Sequence, residues 1–528
     1  MVLSLRSYKG VWRIALLAGV LQACYAGVFI YQSSCVVEGE RYFCLFDDAM
    51  ISMRYAANWA DGHGFVWNTD EQVEGYTNFG WTAIMGLCHL LGLSLSHTCL
   101  LVQCLGILAL WGCSVGTILL ARACRLAPIA ACCALALAIT QYNLIYYALM
   151  GMETGLLTVL VTLGLRESVV AIRRREGRIA PALWFAGAVL VRPDAMLLLL
   201  VSVGFLLVAA PRKRWRTILG LLIVAAVVSV HLLWRYHFYG DWLPNTYYLK
   251  ATGWAFADRI PVGLYAGSRT MTALGLPFLL GVCAFAVALM TSRTPQPWQL
   301  LLAGAFLVTL AYDVYVGGDA WPNGYRFELP TTIGLMVLAG EGIYRLTRFL
   351  TKPAVGRRVC WVLTVGGMVA INYINLDHWL LRLPPSGSPG NRTNIMHVLA
   401  AEEVADADAT AAVVWAGAFP YFSGRQCFDL LGKCDPHVAR LPAHPEVKIA
   451  GHNKFDSEYT VSTHRPDIVV GGLQIMYPEF FKTYRPIRVT LDGAELTLSV
   501  RKASGKISGG ERISWSAAQR IHRNTPRF

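Results

Sequence analysis

The chain has 528 residues, 55% of them hydrophobic and only 15% charged, with a mean hydropathy of +0.45. A soluble domain of this length is far less apolar, so the class is excluded. A formal net charge of +13 would suit nucleic acid if it formed one patch, but its distribution along the chain gives it another meaning, and no nucleic-acid partner is expected.

In chain order, MVLSLRSYKGVWRIALLAGVLQACYAGVFIY comes first, with basic residues ahead of an apolar run as in a signal peptide. LQAC, ending at Cys24, faintly resembles a lipoprotein cleavage box, but the run continues to Tyr31 and Gln22 fits such a box poorly. An uncleaved signal anchor is expected. Further apolar blocks lie near 98–120, 127–148, 154–170, 179–192, 195–210, 217–235, 271–290, 298–316, 328–346 and 358–376. A hydrocarbon core is crossed by roughly 17–25 such residues, so eleven spans are predicted. With the N-terminus inside, the inner segments collect Arg173, Arg174, Arg175 and Arg178, then Arg212, Lys213, Arg214 and Arg216, then Arg345, Arg348, Lys352, Arg357 and Arg358. The outer loops before residue 381 are longer and poorer in base. The basic excess is therefore mostly an orientation signal.

Two segments depart from a simple span. Trp81–Leu95 is apolar but short, and counting it would put every later basic loop outside; it reads as a helix lying in the interface or re-entering from it. The stretch 179–210 is broken by RPD at Arg192, Pro193 and Asp194, so two short helices meeting at the outer face are predicted. From about Leu381 the character changes. LPPSGSPGNRT is a linker, and β-rich runs follow at 411–417, 465–472 and 487–500. The predicted organisation is a membrane region 1–380 with a large first outer loop 32–97, an α/β soluble domain 381–505, and a flexible tail 506–528.

Most of the fourteen cysteines fall in spans, where Cys is a small apolar residue. Cys35 with Cys44, and Cys427 with Cys434, instead flank short stretches on the side assigned as oxidising, and disulfides are expected there. Metal binding is the rival reading, but no cluster of ligand spacing accompanies either pair.

Polar groups at span ends are costly and suggest function. They lie on one side only: FDDAMISMRY, GMETG, VRPDA, YGDWLPNTYYLK and GGDAWPNGYRFELP follow spans one, three, five, seven and nine. These loops predict an outward-facing cavity of mixed charge at the lipid boundary. Bland readings stand beside this one. Glu153 also suits a helix N-terminus, Arg192 and Asp194 suit a self-contained ion pair, and Trp67, Trp81, Trp242 and Trp321 suit an interfacial belt. Asp47 and Asp48 resist such a reading: adjacent acids repel, and no base follows before Arg54.

DDAMISMRYAANWADGHGFVWNTDEQVEGYTNFGW, with GMETG, YGDWLPNTYYLK and GGDAWPNGYRFELP, resembles the GT-C fold glycosyltransferases. The likeness is nearest to arabinofuranosyltransferases such as the mycobacterial terminal enzyme B and the bacterial pilin arabinosyltransferases. WAGAFPYFSGRQCFDLLGKCDPHVAR and GHNKFDSEY join it from the end domain. The resemblance implies a GT-C membrane domain that passes a sugar, arabinofuranose foremost, from a polyprenyl phosphate to an acceptor hydroxyl on a surface glycan, lipid or protein, with inversion. It implies the bacterial inner membrane, with site and end domain in the periplasm. Asp47 is then the base and Asp48 its partner. Arg192, Lys250 and Arg326 are candidates for the donor phosphate. Arg54, Glu74, Tyr76, Asn78, Glu153, Asp194, Asn245, Tyr247, Asp319 and Tyr325 are candidates for sugar or acceptor. No cofactor is required, although some relatives hold a divalent cation on such a pair. The end domain is expected to serve the acceptor, through Tyr421, Asp429 and His452. A second class, a non-catalytic transporter or binding protein for lipid-linked sugars, would line both faces of its path with polar groups and often show repeat symmetry. Here they lie on one.

Overall fold

The computed structural model describes residues 8–290, 294–319, 324–350, 353–471 and 477–524; Trp321 and Lys352 lie outside them. The first half holds α1 (Lys9–Ser33), the hairpin β1 (Cys35–Val37) and β2 (Glu40–Tyr42), α2 (Asp47–Ala60), α3 (Phe79–His89) and α4 (Leu95–Ala123). Then come α5 (Pro128–Ile139), α6 (Tyr142–Leu149), α7 (Thr154–Arg174), α8 (Ala180–Val191), α9 (Ala195–Ala209) and α10 (Arg214–Tyr239). The bundle is completed by α11 (Asn245–Ala251), α12 (Phe256–Met290), α13 (Pro297–Val316), α14 (Leu329–Leu350), α15 (Pro353–Asn372) and the short α16 (Leu376–Trp379).

Every predicted span is helical, and the chain is a multi-pass membrane protein. Seven helices among the described residues are long and apolar enough to cross a bilayer: α1, α4, α7, α10, α12, α13 and α15 with the turn after it. The pair α5 and α6, bent by 51°, passes the same test when taken together, as a broken span or a re-entrant loop. At that break the freed backbone groups need partners, because lipid offers none. Asn372 supplies them, donating to the Thr140 carbonyl and accepting from the Tyr142 N–H, each at 2.8 Å. The short apolar helices α8 and α9 meet at the RPD turn, as expected. Helix α14 carries Glu341, Arg345 and Arg348 and is walled in by protein rather than lipid, being buried from Leu329 to Ile343. Its Gly342 permits a near-contact of backbones: a Cβ there would lie 1.6 Å from the Leu280 carbonyl oxygen of α12. Helix α3, at eleven residues, is too short to span. Helix α12 starts well before the predicted 271, and its 35 residues exceed what a bilayer requires. Its polar first turns therefore rise beyond the apolar part, which carries Arg259 to the site.

The C-terminal region is α17 (Ser388–Val404), β3 (Ala411–Val413), α18 (Ala418–Ser423), β4 (Cys427–Asp429), α19 (Pro436–Arg440), α20 (Ser457–His464), β5 (Ile468–Val470), α21 (Pro478–Thr483), β6 (Tyr484–Leu491), β7 (Ala494–Arg501), β8 (Glu511–Arg512) and α22 (Trp515–Asn524). Its sheet runs β4-β3-β5-β7-β6-β8; the first three strands are parallel and the others antiparallel. The tail predicted to be flexible is ordered over its described part. β8 pairs with β6, Ala518 of α22 is fully buried, and Trp515 packs on Phe480 and Phe481. A polar, basic composition concealed one apolar stripe.

This domain and the first loop share a core. Ile51, Tyr55, Phe65, Trp67 and Tyr76 cluster with Ile395, Val413, Phe419 and Val500. The expected disulfides are absent: all fourteen cysteines are free thiols. Hydrogen bonds close the short stretches instead. Cys35 pairs across the hairpin with Tyr42, while Cys44 lies beyond the paired residues in the bundle core, its thiol toward the Leu45 carbonyl. Cys427 is a strand residue and Cys434 faces the Tyr55 hydroxyl at 3.8 Å.

Candidate active site

The acidic pair opens α2, where the positive end of the helix dipole favours carboxylates. Around it lies a cavity of about 380 Å³. Eleven of the fifteen catalytic, phosphate and sugar candidates line it together: Asp47, Asp48, Tyr76, Asn78, Glu153, Arg192, Asp194, Tyr247, Lys250, Asp319 and Arg326. They come from α2, the first loop, the starts of α7 and α9, α11 and the segment before α14.

The two acids differ in surroundings. Asp47 is 4% exposed; its Oδ1 accepts the Ala418 N–H at 3.0 Å, and its Oδ2 has no hydrogen-bond partner among the described residues. Burial pushes its carboxyl up to about 6, with Lys433 and the Ala418 N–H pulling the other way and Asp48 and Asp429 adding to the rise. Asp48 is clamped. Lys433 Nζ reaches Oδ1 at 2.8 Å and Arg326 reaches Oδ2 at 3.3 Å. Burial opposes its charge, but Lys433, Arg326 and Lys250 outweigh it and hold the carboxyl well below the usual range. Asp47 is thus a carboxylate with a spare lone pair and a near-neutral titration. Asp48 is a fixed anion.

The cations divide likewise. Arg326 also pairs with Asp319 at 3.3 Å, and Arg192 with Asp194 and Glu153, both at 2.9 Å. Arg192 and Asp194 do pair across the turn, but the pair is not self-contained, since the same guanidinium holds Glu153. Glu153 is no mere helix-start acid: Asn78 donates to it at 3.1 Å and is itself held by Ser52 at 3.0 Å. Lys250, by contrast, has no hydrogen-bond or ion-pair partner among the described residues. Burial, then Arg326, brings its ammonium down to about 8, against the pull of Asp48 and Asp319. Arg259 lines the same cavity, stacked 4.8 Å over Tyr315, with no carboxylate at ion-pair distance among the described residues. These two cations have charge to spare for an anion.

Four sequence candidates lie elsewhere. Arg54 donates to the Trp67, Gly424 and Arg425 carbonyls and staples α2 to the C-terminal domain. Glu74 is taken by Arg235 at 2.6 Å. The Asn245 amide donates to the Gly432, Lys433 and Asp435 carbonyls at 3.0–3.1 Å. Tyr325 turns its hydroxyl toward Gln141 and Asn143. All four are polar residues in polar motifs; Arg54, Glu74 and Asn245 use their polar groups inside the protein, while the buried Tyr325 hydroxyl has no hydrogen-bond partner among the described residues. Of the end-domain candidates, His452 lines the cavity, Asp429 caps a turn, and Tyr421 bonds the Leu95 carbonyl. Sequence reading missed Lys433, Trp415 and Arg259. A lone lysine between Cys427 and Cys434 was the only signal for the first, and it was read as part of a disulfide loop.

The pair does not fit a divalent ion. Both Asp48 oxygens already meet cations, and no group of three or more His, Cys, Asp or Glu among the described residues could hold a metal.

Comparison with solved structures shows a GT-C fold. A crystal structure of ArnT from Cupriavidus metallidurans bound to undecaprenyl phosphate superposes with a TM-score of 0.58 at 12% identity, over 92% of this chain and 98% of that one. The apo crystal structure of the same protein gives 0.53 at 12% identity, over 91% and 97%. Residues 390–514 match a family model described as a domain of unknown function (DUF8728). Comparison with curated proteins gives no match.

Proposed function

We propose that the protein is an integral-membrane, inverting glycosyltransferase that moves a sugar, arabinofuranose foremost, from a polyprenyl phosphate to an acceptor hydroxyl of a surface glycan, lipid or protein. One observation carries the reading: among the described residues, an unpartnered oxygen of a buried carboxylate shares a cavity at the end of the membrane bundle with two cations that have no acid partner. A structure of the same fold binds undecaprenyl phosphate, which supports the class of donor.

The acceptor hydroxyl gives its proton to Asp47 Oδ2, and its oxygen attacks the anomeric carbon from the face opposite the phosphate. The anomeric C–O bond breaks and its electron pair leaves with the polyprenyl phosphate. Lys250 and Arg259 balance the charge on that phosphate. A phosphate needs no proton to leave, so one carboxylate suffices. Asp48, Arg326, Arg192, Asp194, Asp319 and Glu153 hold the walls, and Tyr76, Asn78 and Tyr247 offer hydroxyl and amide contacts to sugar. The charge bias of the loops supports a bacterial inner-membrane protein with the site and C-terminal domain in the periplasm.

The test is incubation of the purified protein with labelled polyprenyl-phosphate sugars and isolated envelope fractions, followed by identification of the labelled product. A labelled pentose in an acceptor is expected. Donor binding with no transfer of any sugar would replace the enzyme with a binding or transport protein.

A further inference from the structure

We infer that the C-terminal domain is a working part of this site, and that Lys433 is a positioning residue which holds Asp48 so that Asp47 is left free to act. The inference rests on the glycosyltransferase reading above and assigns a role to the segment 390–514.

The topology of the domain supplies the first argument. From β3 the chain passes to β4 on one side and then to β5 on the other, so the strand order reverses at β3. In sheets with parallel strands, loops leaving such a switch point part and open a crevice beyond the carboxyl ends of the strands. Here the loop after β3 brings Trp415, Gly417 and Ala418, and the loop after β4 brings Lys433. The start of α2 sits between them. Gly417 is pressed so closely on Asp47 that a Cβ would lie 2.1 Å from its carbonyl oxygen and 2.6 Å from Oδ1.

Lys433 is built into place. The Asp429 carboxylate accepts from the N–H groups of Leu431 at 2.9 Å and Cys434 at 2.8 Å, and the Asn245 amide donates to the Lys433 carbonyl at 3.0 Å. The side chain is 9% exposed and ends on Asp48. Arg326 of the bundle and Lys433 of the domain therefore take one oxygen each of the same carboxylate. The groups that face Asp47 are Lys433, Asp48, Asp429 and the Ala418 N–H; Arg326 and Lys250 face Asp48.

A simple docking bridge is the competing account. Docking is already served by the shared apolar core, by Arg54, by the Trp67 indole on the Ala416 carbonyl at 3.1 Å, and by Asn68 on the Cys427 carbonyl at 2.8 Å. A buried ion pair adds little to adhesion after its desolvation cost. What it does here is set the charge beside the base.

The experiment compares full-length wild type, Lys433→Met and Lys433→Arg. Transfer from polyprenyl-phosphoryl arabinofuranose is followed between pH 5 and 9, with polyprenyl-phosphate binding and thermal melting on the same samples. Difference infrared titration, with Asp47→Asn identifying the band, reads the Asp47 carboxyl whether or not sugar moves. Lys433→Met is expected to shift that titration and the acid limb of the rate up by about one pH unit, costing about fivefold at pH 6, approaching tenfold by pH 5, and less than about twofold at pH 8.5. Polyprenyl-phosphate affinity should stay within about twofold, and Lys433→Arg should restore the limb. An unmoved titration in Lys433→Met overturns the inference. So does a loss equal at every pH that tracks a lowered melting temperature in both variants, which would mean docking only. So does weakened polyprenyl-phosphate binding with an unmoved limb, which would make Lys433 a phosphate ligand. Absence of transfer by the wild type would refute the enzyme reading instead, and the infrared titration would still judge Lys433.

Discussion

Asp47→Asn exchanges one side-chain atom of the proposed base and leaves its seat intact. The amide oxygen can still accept the Ala418 N–H that reaches Oδ1 at 3.0 Å, while the amide nitrogen replaces the oxygen with no partner among the described residues. Folding and domain docking should survive, and only the proton acceptor is lost. General-base catalysis contributes about 10²–10⁴ in rate, or about 3–5 kcal/mol of barrier, and transfer should fall by that factor. The pH profile gives an independent figure. Burial holds the Asp47 carboxyl at about 6. The reaction needs the carboxylate form, so the rate is full above about pH 7 and falls as pH drops through 6, to roughly one-tenth at pH 5. On the alkaline side Lys250, brought down to about 8, loses its charge as pH rises, and donor binding weakens there. The assay is initial transfer rate and polyprenyl-phosphate binding between pH 5 and 9 for wild type and Asp47→Asn. Donor binding should be retained and the acid limb should vanish from the residual rate. Asp47→Asn with near-normal transfer, or with an acid limb still at 6, would refute the assignment; a dead Asp48→Asn beside it would move the base one residue on.

Lys250→Met should weaken polyprenyl-phosphate binding by about ten- to a hundredfold with the Asp47 limb unchanged, measured by equilibrium binding, since it removes a charge-assisted contact that no internal acid shares. Gly417→Ala should push Asp47 by about 1 Å, slow transfer about a hundredfold and destabilise the protein by about 1–3 kcal/mol, read from rates and denaturant unfolding; an indifferent variant would mean that the loop is not seated on the acid. Reporter fusions at Arg175 should report the cytoplasm and at Ser388 the outer compartment. A cytoplasmic signal at Ser388 would reverse the orientation and with it the periplasmic site.

The spans were legible in the sequence because a bilayer demands long apolar runs whatever their neighbours do. Even the two irregular segments could be read, Trp81–Leu95 from its length and 192–194 from its proline between charges. The strands at 411–417, 465–472 and 487–500 were legible from β-branched runs, while β4, Cys427–Asp429, and the two-residue β8 carry no β-branched residue. The ordered tail was not, since the burial of Ala518 and the packing of Trp515 depend on strands far away in sequence.

For the site, sequence by itself determined which span ends carry polar groups and that Asp47 and Asp48 stand at the start of a helix. These are local properties, written in residue type and spacing. Only the tertiary structure decided which polar groups are spent and which are spare. Arg192 and Arg326 are committed to acids, whereas Lys250 and Arg259 have no acid partner among the described residues; Arg54 and Asn245 bind the domains together. The same holds for the split within the acidic pair, which comes from the burial of Asp47 and from the hold of Arg326 and of Lys433, 385 residues away along the chain, on Asp48. Charge and hydrogen-bond capacity belong to a residue, but their use depends on distance in space. That distance is set by the packing of the C-terminal domain onto the first loop.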